Sequence, residues 1–468
     1  MSLLTDHRRN ETILNELMQK VGYSRKGTHD SGNLVKVLTI LVIGLVFGVV
    51  SETETALSGA ELAITSSAPV DEAPLGHESE ERVTNAKLDE GQDGNKTTTA
   101  PGSGLPRSAP ESVGMDGSRL SRIADVVADG LRRERMPGCV VLVQRRGRIV
   151  FLEAYGQRQL QPEAQPMTID TVFDLASLTK PIATATALMT LVEKRSVKLD
   201  DPVARYLPDF RVHGKESITV VQLLTHQSGL IPDNALRDYT SGKEKAWENL
   251  FQLTPTVEPG SKFLYSDVGF LVLGRLVETV AGEDLHAYTQ RVLFRPLGMT
   301  ETGYLPREAL RHRSAVTQQR EDRWMRGEVH DPRAYLLGGI AGHAGLFSTA
   351  HDLARYAQMM LNQGSWNQVR ILEPQTIALM TTPVTVSAGT RGLGWDMRSP
   401  YSINRGDLFS DQAFGHGGFT GTSIWIDPGL ELAVIFLSNR VHPDGKGLVN
   451  DLAGRIGTIA AAAIVPAR

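Results

Sequence analysis

The chain has 468 residues, enough for one large domain or two of medium size, and its 41% hydrophobic and 22% charged residues are ordinary for a soluble globular protein. A formal net charge of -4, with no dense Lys/Arg stripe, argues against a nucleic-acid partner. The single cysteine, Cys139, excludes an intrachain disulfide framework and a Cys-rich metal site.

Residues 1–33 are mostly polar and carry Arg8, Arg9, Lys20, Arg25 and Lys26. An apolar zone follows over residues 34–50, interrupted only by Lys36. Its uncharged part, Val37 to Val50, is shorter than the ~20 residues a spanning helix usually needs. The cations ahead of it favour an N-terminus held in the cytoplasm. The segment therefore reads as a signal anchor that crosses the cell membrane once, with the rest of the chain outside the cytoplasm. A cleaved signal sequence, or a wrongly assigned start codon upstream of one, is the alternative. Residues 51–104 lack Phe, Trp and Tyr and are net acidic, so they cannot bury enough apolar surface to offset ordering. They are expected as a disordered tether.

A globular pattern begins at residue 105 and runs to about 465. Arg119 to Arg133 shows helical spacing in Leu120, Ile123, Val126, Val127 and Leu131. Pro137-Gly138 ends it. Two strand-like runs, Cys139–Gln144 and Arg148–Ala154, flank Arg145-Arg146-Gly147 as a hairpin, with Cys139 as a small buried hydrophobe. A helix is expected over Ile182 to Lys194. Late in the chain, Thr422–Ile426 and Leu432–Leu437 form a second hairpin around Asp427-Pro428-Gly429, and a last helix runs from Leu448 to about Ala463. Strands at both ends with helices between predict an α+β domain whose terminal segments share one antiparallel sheet.

The chemistry-bearing segment is Phe173-Asp174-Leu175-Ala176-Ser177-Leu178-Thr179-Lys180. A serine hydroxyl is a poor nucleophile unless a base takes its proton. On a helical turn, residues i and i+3 share a face, so Lys180 can reach Ser177. It acts as base only if burial or nearby cations lower its pKa. Pro181 disfavours helical geometry at Lys180, so an irregular turn is expected there. Alone, Ser-x-x-Lys is a weak signal that many helices carry by chance, as an N-cap serine followed by a solvated lysine. Tyr265, shortly after Pro259-Gly260, could relay a proton to a leaving group. Phe414-Gly415-His416-Gly417-Gly418-Phe419-Thr420-Gly421 enters a strand, where small residues let substrate lie along the edge and a strand N–H can serve an oxyanion hole.

In order and spacing these three elements resemble the serine β-lactamase and penicillin-binding-protein superfamily, nearest its class-C-like esterase and carboxypeptidase members. Two further stretches extend the likeness: Leu223-Leu224-Thr225-His226-Gln227-Ser228-Gly229-Leu230, and Gly345-Leu346-Phe347-Ser348-Thr349 followed by Asp352-Leu353-Ala354. The resemblance implies the β-lactamase/transpeptidase-like fold, with Ser177 as nucleophile, Lys180 as base and Tyr265 as proton relay. His416, Gly417 and Gly418 would line the site, and the N–H groups of Ser177 and Phe419 would hold the oxyanion.

Two positions depart from the family's usual pattern, where Lys opens the strand motif and Asn stands two after the tyrosine. Here they are His416 and Asp267. A neutral histidine offers no fixed cation to a substrate carboxylate. Asp267 could repel an anionic substrate or pair with Lys180. Both changes argue against efficient β-lactam hydrolysis. His343, within Gly338-Gly339-Ile340-Ala341-Gly342-His343-Ala344-Gly345, is a candidate substrate contact, whereas His226 is expected to bond local backbone. Val329-His330-Asp331 with His343 matches no metal-ligand spacing, so neither metal nor organic cofactor is expected.

The expected function is acyl-enzyme hydrolysis of esters or amides, either small molecules or peptidoglycan peptides. The alternatives are a non-catalytic penicillin-binding-type sensor and a true β-lactamase.

Overall fold

The computed structural model describes residues 104–465. The polar segment, signal anchor and acidic linker expected at 1–33, 34–50 and 51–104 lie outside the described residues, Gly104 excepted. Among the described residues, no helix is long and apolar enough to cross a membrane.

The strands of the main sheet are β1 (Gly138–Arg145), β2 (Arg148–Gln159), β3 (Gln165–Pro166), β4 (Val384–Val386), β5 (Gly389–Arg391), β6 (Asp396–Arg398), β7 (Phe414–Gly418), β8 (Thr422–Asp427) and β9 (Leu432–Ser438). They lie in the order β4-β5-β6-β7-β8-β9-β1-β2-β3. Antiparallel pairing of β1 with β9, Cys139 opposite Ser438 through Arg145 opposite Leu432, joins the two ends of the domain. This is the α+β sheet that the two hairpins predict.

Every residue of β1 is buried because the sheet is covered on both faces. Successive side chains of a strand alternate between faces. Val140 and Leu142 face the helical body, packing in one core with Ile182, Leu188 and Tyr356. Cys139, Val141 and Val143 face the terminal helices α1 (Ile123–Arg132) and α4 (Asn450–Ala462), which add Val127, Leu452 and Ile456. The continuous apolar run is what a strand buried on both faces requires. Each such side chain contributes about 1.5–3 kcal/mol when fully buried.

Two expected helices are broken. The first divides into Gly117–Leu120, capped by the Asp116 carboxylate, and α1, because the intervening bonds close early: Arg122 N–H donates to Arg119 O and Ala124 N–H to Ser121 O. The helix after Lys180 begins as a wide π-type turn over Lys180–Ala185 before the regular α2 (Thr186–Glu193). Pro181 has no N–H to give to a regular ladder, which fits the irregular entry expected there.

Candidate active site

Ser177 stands on a single tight turn, Ala176–Leu178, between the short strand Phe173–Asp174 and the π-type turn. Ala176 has φ of 46°, a left-handed conformation costly for a residue with a Cβ, so the surroundings must hold it. The buried Asp174 carboxylate does so, taking the N–H of Ala176 on Oδ1 (2.8 Å) and that of His330 on Oδ2 (2.6 Å). Burial pushes this carboxyl up to about 6 despite those two bonds. The carbonyls of Asp174 and Leu175 accept from Thr420 Oγ1 (2.7 Å) and Thr422 Oγ1 (3.0 Å), which ties the turn to the β7–β8 connection and to the start of β8. Thr179 Oγ1 accepts the N–H of Leu346 (3.1 Å) on the other side.

Lys180 is fully buried, and its Nζ donates to Ser177 Oγ (3.0 Å) and to the carbonyl of His343 (3.1 Å). Its third neighbour is Asp267 Oδ1, at 2.6 Å. Burial alone would pull this ammonium down, as the sequence reading expects, but the Asp267 carboxylate and the Tyr265 hydroxyl outweigh it and raise it above the ordinary lysine range. The lysine therefore rests protonated. Of the two roles open to Asp267, pairing with Lys180 is the one adopted.

Tyr265 is held by the turn that contains His226. Asp267 opens helix α3 (Asp267–Ala281), whose N-cap Ser266 accepts from Gly269 N–H (3.0 Å). His226, itself at φ 56°, takes the N–H of Ser266 on Nδ1 (3.0 Å) and that of Leu264 on its carbonyl (2.8 Å). Its ring stacks on Tyr265 with centroids 4.4 Å apart. His226 thus bonds a segment distant in sequence, not its own turn as expected, and backs the tyrosine. Burial keeps the phenol above its usual value, although Lys180 pulls the other way.

Strand β7 forms the facing wall. His416 Nδ1 bonds the carbonyl of Gly417 (2.7 Å); a carbonyl only accepts, so Nδ1 carries the hydrogen and Nε2 is a bare acceptor. Burial and the nearby Arg391 charge hold the ring well below the ordinary histidine range. It is neutral at pH 7. The cavity, of about 440 Å³, is lined by Ser177, Tyr265, His416, Gly417, Gly418 and Phe419, among others. A Cβ on Gly418 would run into Thr422 Oγ1 and the carbonyl of Leu175. Gly418→Ala is therefore expected to cost about 1–3 kcal/mol and to slow acylation, as β7 is forced off the Ser177 turn. Thermal denaturation together with acylation rates checks this, and an unchanged variant would show the contact to be dispensable.

Ser177, Tyr265, His416, Gly417, Gly418 and Phe419 thus meet at one cavity, with Lys180 directly behind Ser177. Asp267 and His343 do not line that cavity. The His343 ring, 1% exposed, turns to Asp331 (Nε2 to Oδ1, 3.0 Å), and only its carbonyl reaches Lys180. Donor atoms of Asp267, Asp331 and His343 lie within 4.8 Å of one another, but Asp267 is engaged by Lys180 and Asp331 by His343. Asp174, Arg391 and Asp396 escape a sequence reading. Asp174 sits inside the serine motif, where its two N–H partners give no sign, and the other pair belongs to neighbouring strands with no motif.

The family model "Beta-lactamase" matches residues 123–457. The chain is 34% identical over 343 residues to an N-acetylmuramyl-L-alanine amidase of Bacillus subtilis strain 168, covering 65% of this chain and 78% of that protein. It is 32% identical over 379 residues to a provisionally named D-alanyl-D-alanine carboxypeptidase of Escherichia coli O157:H7, covering 72% and 86%. Its fold is similar to that of EstCE1, a hydrolase with promiscuous acyltransferase activity, with a TM-score of 0.61 and 24% identity over 74% of this chain and 99% of that one.

Proposed function

The chain belongs to the Beta-lactamase family, and from that premise we propose that it cleaves esters or amides through an acyl-enzyme formed on Ser177. It is a serine hydrolase of the carboxypeptidase or esterase type. The observation that carries the site assignment is the 3.0 Å contact between Lys180 Nζ and Ser177 Oγ at the cavity. In the fraction of molecules whose Lys180 is an amine, Ser177 Oγ bonds to the substrate carbonyl carbon while its proton passes to Nζ. Tyr265 and Lys180 then return a proton to the leaving group as its bond to carbon breaks. Water repeats the sequence on the acyl-serine. N–H groups of Ser177 and Phe419 are placed in this reading as oxyanion donors.

Peptidoglycan peptides are the first substrate class, supported by what the amidase and carboxypeptidase relatives are named for. The reading sets this chemistry outside the cytoplasm, tethered through residues 34–50, and rests there on the uncharged run Val37 to Val50 with cations ahead of it.

Intact-protein mass after treatment with a fluorophosphonate tests the assignment. One adduct is expected, and peptide mapping should place it on Ser177. A folded sample that takes no label would turn the reading towards the non-catalytic sensor. Acylation without turnover of any ester or amide would do the same.

A further inference from the structure

Three side chains on the buried wall of the Ser177 cavity have hydrogen-bonding capacity that the chemistry above does not use. Arg391, on β5, is fully buried, yet its Nε, Nη1 and Nη2 donate no hydrogen bond. Asp396, on β6 and 2% exposed, lies 3.1 Å from Nη1, a contact of opposite charges in which no N–H is aimed at the oxygen. Its Oδ2 accepts from Ser402 Oγ (2.8 Å), while Oδ1 accepts nothing. The bare Nε2 of His416 is the third. Buried polar groups are nearly always satisfied, and leaving one without a partner is costly, most of all when it is charged. Unspent donors and unspent acceptors together on one cavity wall mark a place where a ligand completes the set.

The unspent groups define that ligand. The Arg391 fork suits a planar oxyanion, which it can hold through two parallel N–H bonds. Asp396 Oδ1 and His416 Nε2 can only accept, so they call for N–H donors. A lone carboxylate would satisfy Arg391 but face Asp396, and a lone ammonium the reverse. A group carrying both charges on one carbon offers a partner to both kinds of unspent atom, the Arg391 donors and the Asp396 and His416 acceptors.

We propose that Arg391 and Asp396, with His416, form a subsite for a free α-amino-acid end of the substrate, ammonium and carboxylate together. The subsite rests on the acyl-serine reading and narrows its substrate class.

The test uses the full chain and phenyl esters whose acyl chain ends in a free α-amino acid, prepared in a graded set of spacer lengths. Each is compared with its N-acetyl form and its α-carboxamide form. At the best-accepted spacer, either cap is expected to lower kcat/KM about ten- to hundredfold, chiefly through KM. Arg391→Gln should remove the penalty for the carboxamide but keep that for the acetyl cap; Asp396→Asn should do the opposite. Equal kcat/KM for the three forms at every spacer length in the unaltered protein overturns the proposal, whatever the variants do. Fluorophosphonate labelling of the same sample separates the two failures. A labelled Ser177 without discrimination removes the subsite alone, whereas an unlabelled folded protein removes the acyl-serine reading itself.

Discussion

Lys180→Met is expected to lower kcat/KM for an activated ester by about three to four orders of magnitude. Ser177→Ala should lose at least as much, and the double variant no more than the worse single one. Groups that act as one unit fail together, so their losses do not add. The reason is local: Nζ is 3.0 Å from the serine oxygen, whereas the other group bonded to Ser177, the Tyr265 hydroxyl, is kept protonated by burial. Methionine keeps most of the lysine stem's volume among Phe270, Tyr265 and the helix that follows. It leaves Asp267, whose side chain is 20% exposed and can hydrate, so the variant should remain folded. Rates with an activated ester, read beside melting temperatures, check the prediction. A Lys180→Met enzyme within tenfold of the unaltered one would move the base role elsewhere, to Tyr265 first.

Much of the fold was legible because it rests on short-range signals. The continuous apolar runs around Val141 and Ile435 mark strands buried on both faces, and the hairpin turns at Gly147 and Gly429 punctuate them. Joining those distant hairpins in one sheet took the further inference that two apolar strand pairs at opposite ends of a chain must bury each other. The meeting of Ser177, Lys180 and Tyr265 was legible for a different reason. Spacing puts Ser177 and Lys180 on one turn, 3.0 Å apart, but it was the order of several motifs and the family resemblance that singled out this pair and joined Tyr265 to it. What spacing could not give is the electrostatic balance. Burial of Lys180 was readable from its apolar neighbours and is correct in sign, but the approach of Asp267 to 2.6 Å reverses the outcome. The same holds for His226, whose partner Ser266 is 40 residues away. Arg391 and Asp396 carry no sequence signal at all, since burial with unspent hydrogen-bonding atoms is a property of the assembled sheet.

Asp267→Asn should move activity towards lower pH. Lys180 is held above the ordinary lysine range, so in the unaltered protein the amine form is scarce at pH 7, and kcat/KM should climb with pH through the whole alkaline range. Removing the carboxylate leaves burial, the largest influence on the lysine and one that disfavours the ammonium, opposed by the Tyr265 hydroxyl. Each unit by which the lysine falls makes the amine form about tenfold more abundant at pH 7. The ratio of kcat/KM at neutral pH to that at alkaline pH should therefore rise at least about tenfold in the variant. Stability supplies a second sign. In the unaltered protein the raised lysine contributes stability that is complete below the unfolded-state pKa of about 10.4 and is lost only as pH rises through the higher folded value. In Asp267→Asn the buried lysine falls below its unfolded value, so stability should increase as pH climbs towards about 10.4. At neutral pH the variant should be weaker by up to about 3–5 kcal/mol, the cost of stranding a buried charge, reduced to the extent that the Asn oxygen accepts from Nζ. Denaturant melts across the alkaline range and the pH–rate profile read the same lysine by independent routes. Superimposable profiles in both would mean that Asp267 does not set its protonation, and the resting ion pair would then have no part in timing the attack by Ser177.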